Sequence, residues 1–224
     1  MNSLEYTQKD TYFACLVHDL KTPLCTQQKI IELFLNNTFG EITPVQREVL
    51  TEFQKSAKYL ISIVSDMLSS YLYENNQIRL NKELFDFSLF MEEIINELSV
   101  CLNGKQIFLE ISPVYLFADK NQIKRTVINL ISNAITYSSK NAVIKVKAKI
   151  FNGRFIFSIK NKSSYLLPKD IKELFEKFRT KNPYGSGLGL YIVKQIVEAH
   201  SGNIFVERGK DNTCTFGFKI PVSS

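Results

Sequence analysis

The sequence predicts an α+β chain, with an N-terminal antiparallel helical hairpin over residues 1–75 and an α/β sandwich over residues 84–224. Two observations carry this prediction. Phe13, Val17, Leu20, Leu24, Gln27, Ile31 and Phe34 recur in a 4-3 rhythm, and Leu50, Phe53, Ala57, Leu60, Val64, Met67 and Tyr71 in a 3-4 rhythm. Both are heptad stripes that pack in helical bundles. Beyond a polar connector at residues 74–82 the period changes to short alternating strands separated by amphipathic helices, which marks a second architecture.

Each element has its own local signal. Residues 36–44 break the two long helices with Asn36-Asn37, Gly40 and a Thr43-Pro44 helix start. Two helices of this length cannot bury full stripes between themselves, so a second copy is expected to complete a four-helix bundle. A helix is expected over residues 88–102, ending near Gly104, with strands at 106–111 and 115–118. Asp119 with Gln122 makes a capping-box start for a helix to Tyr137. Strands at 143–151 and 154–160 flank Asn152-Gly153, a two-residue hairpin signal. A short helix over 168–177, another over 188–200 closed by Gly202, and strands at 203–207 and 213–220 complete a reading with six strands.

Composition excludes several classes. With 45% hydrophobic and 22% charged residues the chain reads as soluble and globular. No apolar run is long enough to span a bilayer, and residues 1–10 carry no signal-peptide core, so a cytoplasmic location is expected. Cys15, Cys25, Cys101 and Cys214 show no CxxC or metal spacing and read as thiols in a reducing compartment. The net charge of +6 comes mostly from lysines. Lys145, Lys147 and Lys149 alternate with apolar residues, as on the solvated face of a half-buried strand. Neither zinc spacing, a recognition helix nor an aromatic platform points to nucleic acid.

Three clusters carry chemistry. Val17-His18-Asp19-Leu20-Lys21-Thr22-Pro23-Leu24 places a nucleophile beside an acid that holds one ring nitrogen and raises the reactivity of the other. Thr22 lies one turn from His18 on the same face, and Pro23 is expected to bend the helix there. His18 follows stripe residue Val17, which places it at the edge of a bundle. Asn129 and Asn133 stand four apart on one helix, where asparagine is a poor choice unless its amide oxygen is used. Magnesium, which takes oxygen ligands and keeps several waters, is one such use; a solvated helix face is the other. Gly185-Ser186-Gly187-Leu188-Gly189 precedes an amphipathic helix whose first amides can receive phosphate oxygens. It comes too late in the chain for a dinucleotide fold. Residues 179–184, led by Arg179, read as a basic lid.

Together these clusters resemble a sensor histidine kinase of two-component signalling. Residues 18–24 resemble the phosphoacceptor box, 129–138 the metal-binding N box, 174–178 the F box and 185–190 the second glycine box, in the family's order across nearly the whole chain. The resemblance implies a dimerisation and phosphoacceptor domain to residue 75. It implies an ATP-binding catalytic domain of the histidine kinase and gyrase type from residue 84. His18 is then the phosphoacceptor, Asp19 orients its ring, and Thr22 supports dephosphorylation of the partner. ATP would be contacted by Asn129, Asn133, Tyr137 and Asn161, and by Arg179, Gly185, Gly187, Leu188 and Gly189, with Mg2+ on Asn133. The implied partners are a second copy of the chain and the receiver domain of a response regulator. About 12 residues precede Phe13, so signal input is expected from a separate sensor protein or from a longer chain.

The chain departs from the family after the strand at 154–160. There the family places Asp-x-Gly-x-Gly, whose aspartate accepts from the adenine amino group, and this chain has Asn161-Lys162-Ser163-Ser164-Tyr165. Asn161 offers one neutral acceptor, and its amide can face either way. Thr136 also stands where the family often has lysine. Two readings follow: an active kinase with weakened adenine recognition, and a degenerate kinase that serves as a dimeric scaffold or phosphotransfer module. A third, an ATP-hydrolysing machine of the same superfamily, conflicts with Asn129, because an amide cannot be the base that activates water.

Overall fold

The structure, a computed structural model, describes residues 8–75, 79–99, 102, 104–162, 173–180, 185–209 and 212–222. It divides into two compact units. One comprises residues 1–77 with Thr180–Leu188, and the other residues 78–179 with Gly189–Ser224.

The first unit is a helical hairpin of α1 (Gln8–Leu35) and α2 (Pro44–Glu74). α1 runs continuously through Pro23, whose ring removes the amide that would bond Asp19 O. The turn uses left-handed backbone at Asn37 (φ 57°) and Gly40 (φ 111°). The Arg47 guanidinium fastens the turn by donating to Leu35 O and to Asn37 Oδ1, both at 2.9 Å. Thr43 opens α2 with a full capping box: its hydroxyl accepts from Gln46 N, and Gln46 Oε1 accepts from Thr43 N at 2.8 Å.

The heptad stripes divide in a way the sequence pattern does not show. Phe13, Val17, Leu24 and Ile31 of α1, and Leu50, Ala57, Val64 and Tyr71 of α2, are buried or half-buried. Phe13 and Tyr71 stack with ring centroids 4.3 Å apart. The alternate positions remain in solvent: Leu20 is 50% exposed, Phe53 60%, Leu60 43% and Met67 45%.

The second unit contains β1 (Glu83–Asp86), α3 (Phe87–Leu98), β2 (Gln106–Ile111), β3 (Tyr115–Ala118), α4 (Lys120–Tyr137), β4 (Val143–Phe151) and β5 (Arg154–Lys162). It ends with α5 (Gly189–Ala199), β6 (Asn203–Arg208) and β7 (Thr213–Pro221). Five strands form one sheet in the order β2-β4-β5-β7-β6, with β2 and β4 parallel and the other pairs antiparallel; β1 and β3 form a separate antiparallel pair. The core lies on one face of the sheet. Ile144, Val146 and Ala148 of β4 and Phe155, Phe157 and Ile159 of β5 meet Phe87, Phe90 and Ile94 of α3, Val127 and Ile131 of α4, and Val193 and Val197 of α5. Lys145, Lys147 and Lys149 point to the other face and are exposed, as the alternation predicts.

Three boundaries differ from expectation. β1 adds a seventh strand; with four residues and only Phe85 buried, it is too short to show a period. α3 ends at Leu98, because Ser99 caps it and its hydroxyl donates to Asn96 O at 2.7 Å. β5 continues two residues beyond Lys160, held by pairing with β7, and this carries Asn161 into the sheet opposite Cys214. Of the helix expected over 168–177, residues 168–172 lie outside the described residues, and residues 174–178 form turns in which Phe178 has φ 61°.

Candidate functional site

On the hairpin, His18, Asp19 and Thr22 share one exposed surface of α1. The side chains of His18 and Asp19 are 78% and 79% exposed, and His18 Nδ1 lies 3.3 Å from Asp19 Oδ1. A carboxylate is an acceptor, so this contact places an N–H on Nδ1 and leaves Nε2 toward solvent. The Thr22 hydroxyl donates to His18 O at 2.9 Å, so it lies against the backbone of the histidine.

In the second unit the sites cluster around α4. Asn129 and Asn133 are half-buried along the edge of its apolar face. Asn129 Nδ2 donates to Gly189 O at 3.3 Å, which ties α4 to the first residue of α5 and leaves Asn129 Oδ1 as an acceptor. Nothing among the described residues bonds the Asn133 amide, so its oxygen is open to a hydrated cation. No group of three metal-ligating His, Cys, Asp or Glu side chains occurs among the described residues. A magnesium ion that keeps its waters and binds chiefly through phosphates does not need one, so the donor set fits such an ion through Asn133.

At the end of α4, Tyr137 is half-buried and Ser138 is the C-cap. Ser138 Oγ donates to Ala134 O at 2.6 Å and accepts from Asn161 Nδ2 at 3.0 Å. Asn161 is 3% exposed and Cys214, its cross-strand neighbour, 1%. Burial pushes the Cys214 thiol above its ordinary pKa, so it stays protonated and unreactive. Ser163 to Tyr165, the rest of the departure from the family's pattern, lie outside the described residues.

Gly189 begins α5, and a Cβ there would meet Asn129 at 3.7 Å, an ordinary contact, so space does not require glycine at that position. The left-handed backbone at Gly187, φ 66°, favours it instead. Gly185, Gly187 and Leu188 group with the helical hairpin, where Ser186 Oγ donates to Asp66 Oδ2 at 3.1 Å and accepts from Leu188 N at 3.2 Å. Arg179 is paired with Glu173 at 3.4 Å and with Glu176 at 3.5 Å. Residues 181–184 of the expected lid lie outside the described residues.

The sequence reading missed two residues that shape this region, Ser138 and His200. His200, 3% exposed, follows α5, and both of its ring nitrogens are bonded. Nδ1 donates to Ile196 O at 2.8 Å, and Nε2 accepts from Asp119 N at 3.1 Å, so the ring is neutral. Burial holds its pKa below the ordinary value, assisted by Lys82 and opposed by the Ile196 bond and Asp119. Asp119 itself caps α4 through Gln122 N at 3.0 Å and accepts from Asn81 N at 2.9 Å. The histidine therefore straps the end of α5 to the start of the helix that carries the asparagines. The signal available in the sequence was a single histidine closing an apolar helix just before Gly202.

Residues 118–224 match the family model for the histidine kinase-, DNA gyrase B-, and HSP90-like ATPase. The chain is 28% identical over 210 residues to the sensor protein kinase WalK of Staphylococcus saprophyticus, covering 88% of this chain and 34% of that protein. The Acinetobacter baumannii histidine kinase AdeS superposes with a TM-score of 0.67 at 26% identity, covering 92% of this chain and 98% of that one. Full-length ShkA, solved in complex with AMPPNP, shares the fold with a TM-score of 0.78 at 24% identity, over 96% of this chain and 46% of that one. The chain thus spans about a third of the length of the first curated relatives it matches.

Proposed function

We propose that this chain, which belongs with the sensor histidine kinases, transfers the γ-phosphoryl group of ATP to His18 and then passes it to an aspartate in the receiver domain of a response regulator. The observation that carries the reading is the pair His18–Asp19. It presents an oriented imidazole with Nε2 free on an exposed helix face. In the proposed step, Nε2 attacks the γ-phosphorus, the bond to the β–γ bridging oxygen breaks and ADP departs. Asp19 holds the Nδ1 proton and stabilises the positive ring that forms. Asn129 and Asn133 position the phosphates, and Asn161 receives the adenine amino group through Oδ1. Magnesium held through Asn133 would neutralise phosphate charge. Tyr137, Arg179, Gly185, Gly187, Leu188 and Gly189 complete the nucleotide contacts in this reading.

A homodimer is part of the proposal. Leu20, Phe53, Leu60 and Met67 are apolar heptad positions left in solvent by a single hairpin, as expected of residues that a second copy covers. No helix among the described residues is long and apolar enough to cross a membrane. The cytoplasm and input from a separate sensor protein remain part of the reading.

A second reading, a dimeric scaffold or phosphotransfer module with weak or no ATP use, draws on the run from Asn161 to Tyr165 that replaces the family's Asp-x-Gly-x-Gly. Calorimetric titration with MgATP separates the two. Charged hydrogen bonds contribute about 1.5–3 kcal/mol against roughly 0.5–1.5 for neutral ones, so Asn161→Asp should tighten ATP binding about fivefold. No heat at millimolar nucleotide in either protein, with the second unit folded, would favour the scaffold.

A further inference from the structure

The Asn161 amide has two faces of opposite chemistry, and the structure contains what chooses between them. A carbonyl oxygen only accepts, so the contact of 2.6 Å between Ser138 Oγ and Ala134 O uses the one hydroxyl proton of Ser138. Toward Asn161, 3.0 Å away, Ser138 Oγ therefore has only lone pairs to offer. The amide must answer with its NH2 group, and Oδ1 is turned to the other side. Among the described residues nothing donates to that oxygen. The side chain is 3% exposed and held in a β5 residue paired to β7, so water and backbone motion do little to scramble the arrangement.

Resting on the nucleotide-binding reading above, we infer that Ser138 is a positioning residue that fixes Asn161 as an acceptor and so makes the site select a 6-aminopurine over a 6-oxopurine nucleotide. Adenine presents an exocyclic amino donor at C6. Guanine presents a carbonyl oxygen there, which would face Asn161 Oδ1 lone pair to lone pair. An amide turned the other way would reverse this preference. An aspartate at 161 has no such ambiguity, since both of its oxygens accept. The neutral residue is what makes Ser138 necessary.

The test is a set of calorimetric titrations of the full chain with MgATP and MgGTP. The unaltered chain should prefer ATP by roughly tenfold or more, in line with a buried acceptor left unpaired by the wrong base. Ser138→Ala removes the lone pairs that hold the amide, and the ATP-to-GTP ratio should fall severalfold toward unity. Ser138→Thr keeps a hydroxyl and should keep the ratio. In an Asn161→Asp background the same Ser138→Ala change should leave the ratio alone. An unchanged ratio in Ser138→Ala overturns the inference, as does an equal fall in the aspartate background, which would mean a loosened pocket. Absence of binding by either nucleotide to the unaltered chain, with the second unit folded, removes instead the reading on which the inference rests.

Discussion

Replacing His200 with phenylalanine keeps a ring in a buried site and removes both of its hydrogen bonds. Ile196 O retains a partner, because His200 N also donates to it at 3.1 Å. Asp119 N does not, and an orphaned buried amide costs about 1–3 kcal/mol, so His200→Phe should lose roughly 2 kcal/mol at pH 7.5. The native pKa is lowered, so the unfolded chain binds the proton first and stability falls as pH drops below about 6.5. At pH 5.5 an unfolded histidine of pKa about 6.5 gains at most RT ln 11, about 1.4 kcal/mol, the ceiling that a wholly neutral native ring would set. The variant has no such group, so its deficit should shrink between pH 7.5 and 5.5, by no more than that ceiling. His200→Gln, which can still accept from Asp119 N, should recover much of the stability without the pH term. Urea unfolding followed by tyrosine emission measures all three proteins. A deficit constant across pH, or the same pH dependence in wild type and variant, would refute the neutral strap.

Asn133→Ala should abolish autophosphorylation, a loss of at least about a hundredfold, while sedimentation still shows the parent's oligomeric state. An active variant would place the metal elsewhere. Phe53→Glu with Leu60→Glu puts charge on the exposed half of the α2 stripe and should convert a dimer of the full chain to monomer. A dimer that survives would assign that face another role. Thr22→Ala should leave His18 labelling within about twofold, since it removes one exposed hydroxyl, and should slow loss of phosphate from a phosphorylated receiver domain. Unchanged loss would leave Thr22 as a surface residue.

Elements whose signals are local could be read from the sequence. The Thr43 box, the Asp119 cap with the helix to Tyr137, and the left-handed Asn152-Gly153 turn (φ 50° and 69°) each depend on residues within a few positions of one another. Features set by distant pairing could not. β1 exists because β3 pairs with it, and Asn161 enters the sheet because β7 extends alongside. At the site, the His18–Asp19–Thr22 group lay within five residues and was legible. The Ser138–Asn161 and His200–Asp119 bonds join residues 23 and 81 positions apart, and no periodicity reports them. The heptad stripes showed which positions are apolar; how they divide between the partner helix and solvent depends on the register of the hairpin.

The most direct test of the kinase reading is incubation of the chain with γ-labelled ATP and magnesium. The account predicts label that is labile in acid and stable in base, confined to His18 and absent from His18→Gln. Label that persists in His18→Gln, or a folded protein that binds MgATP yet takes up no label, would contradict it.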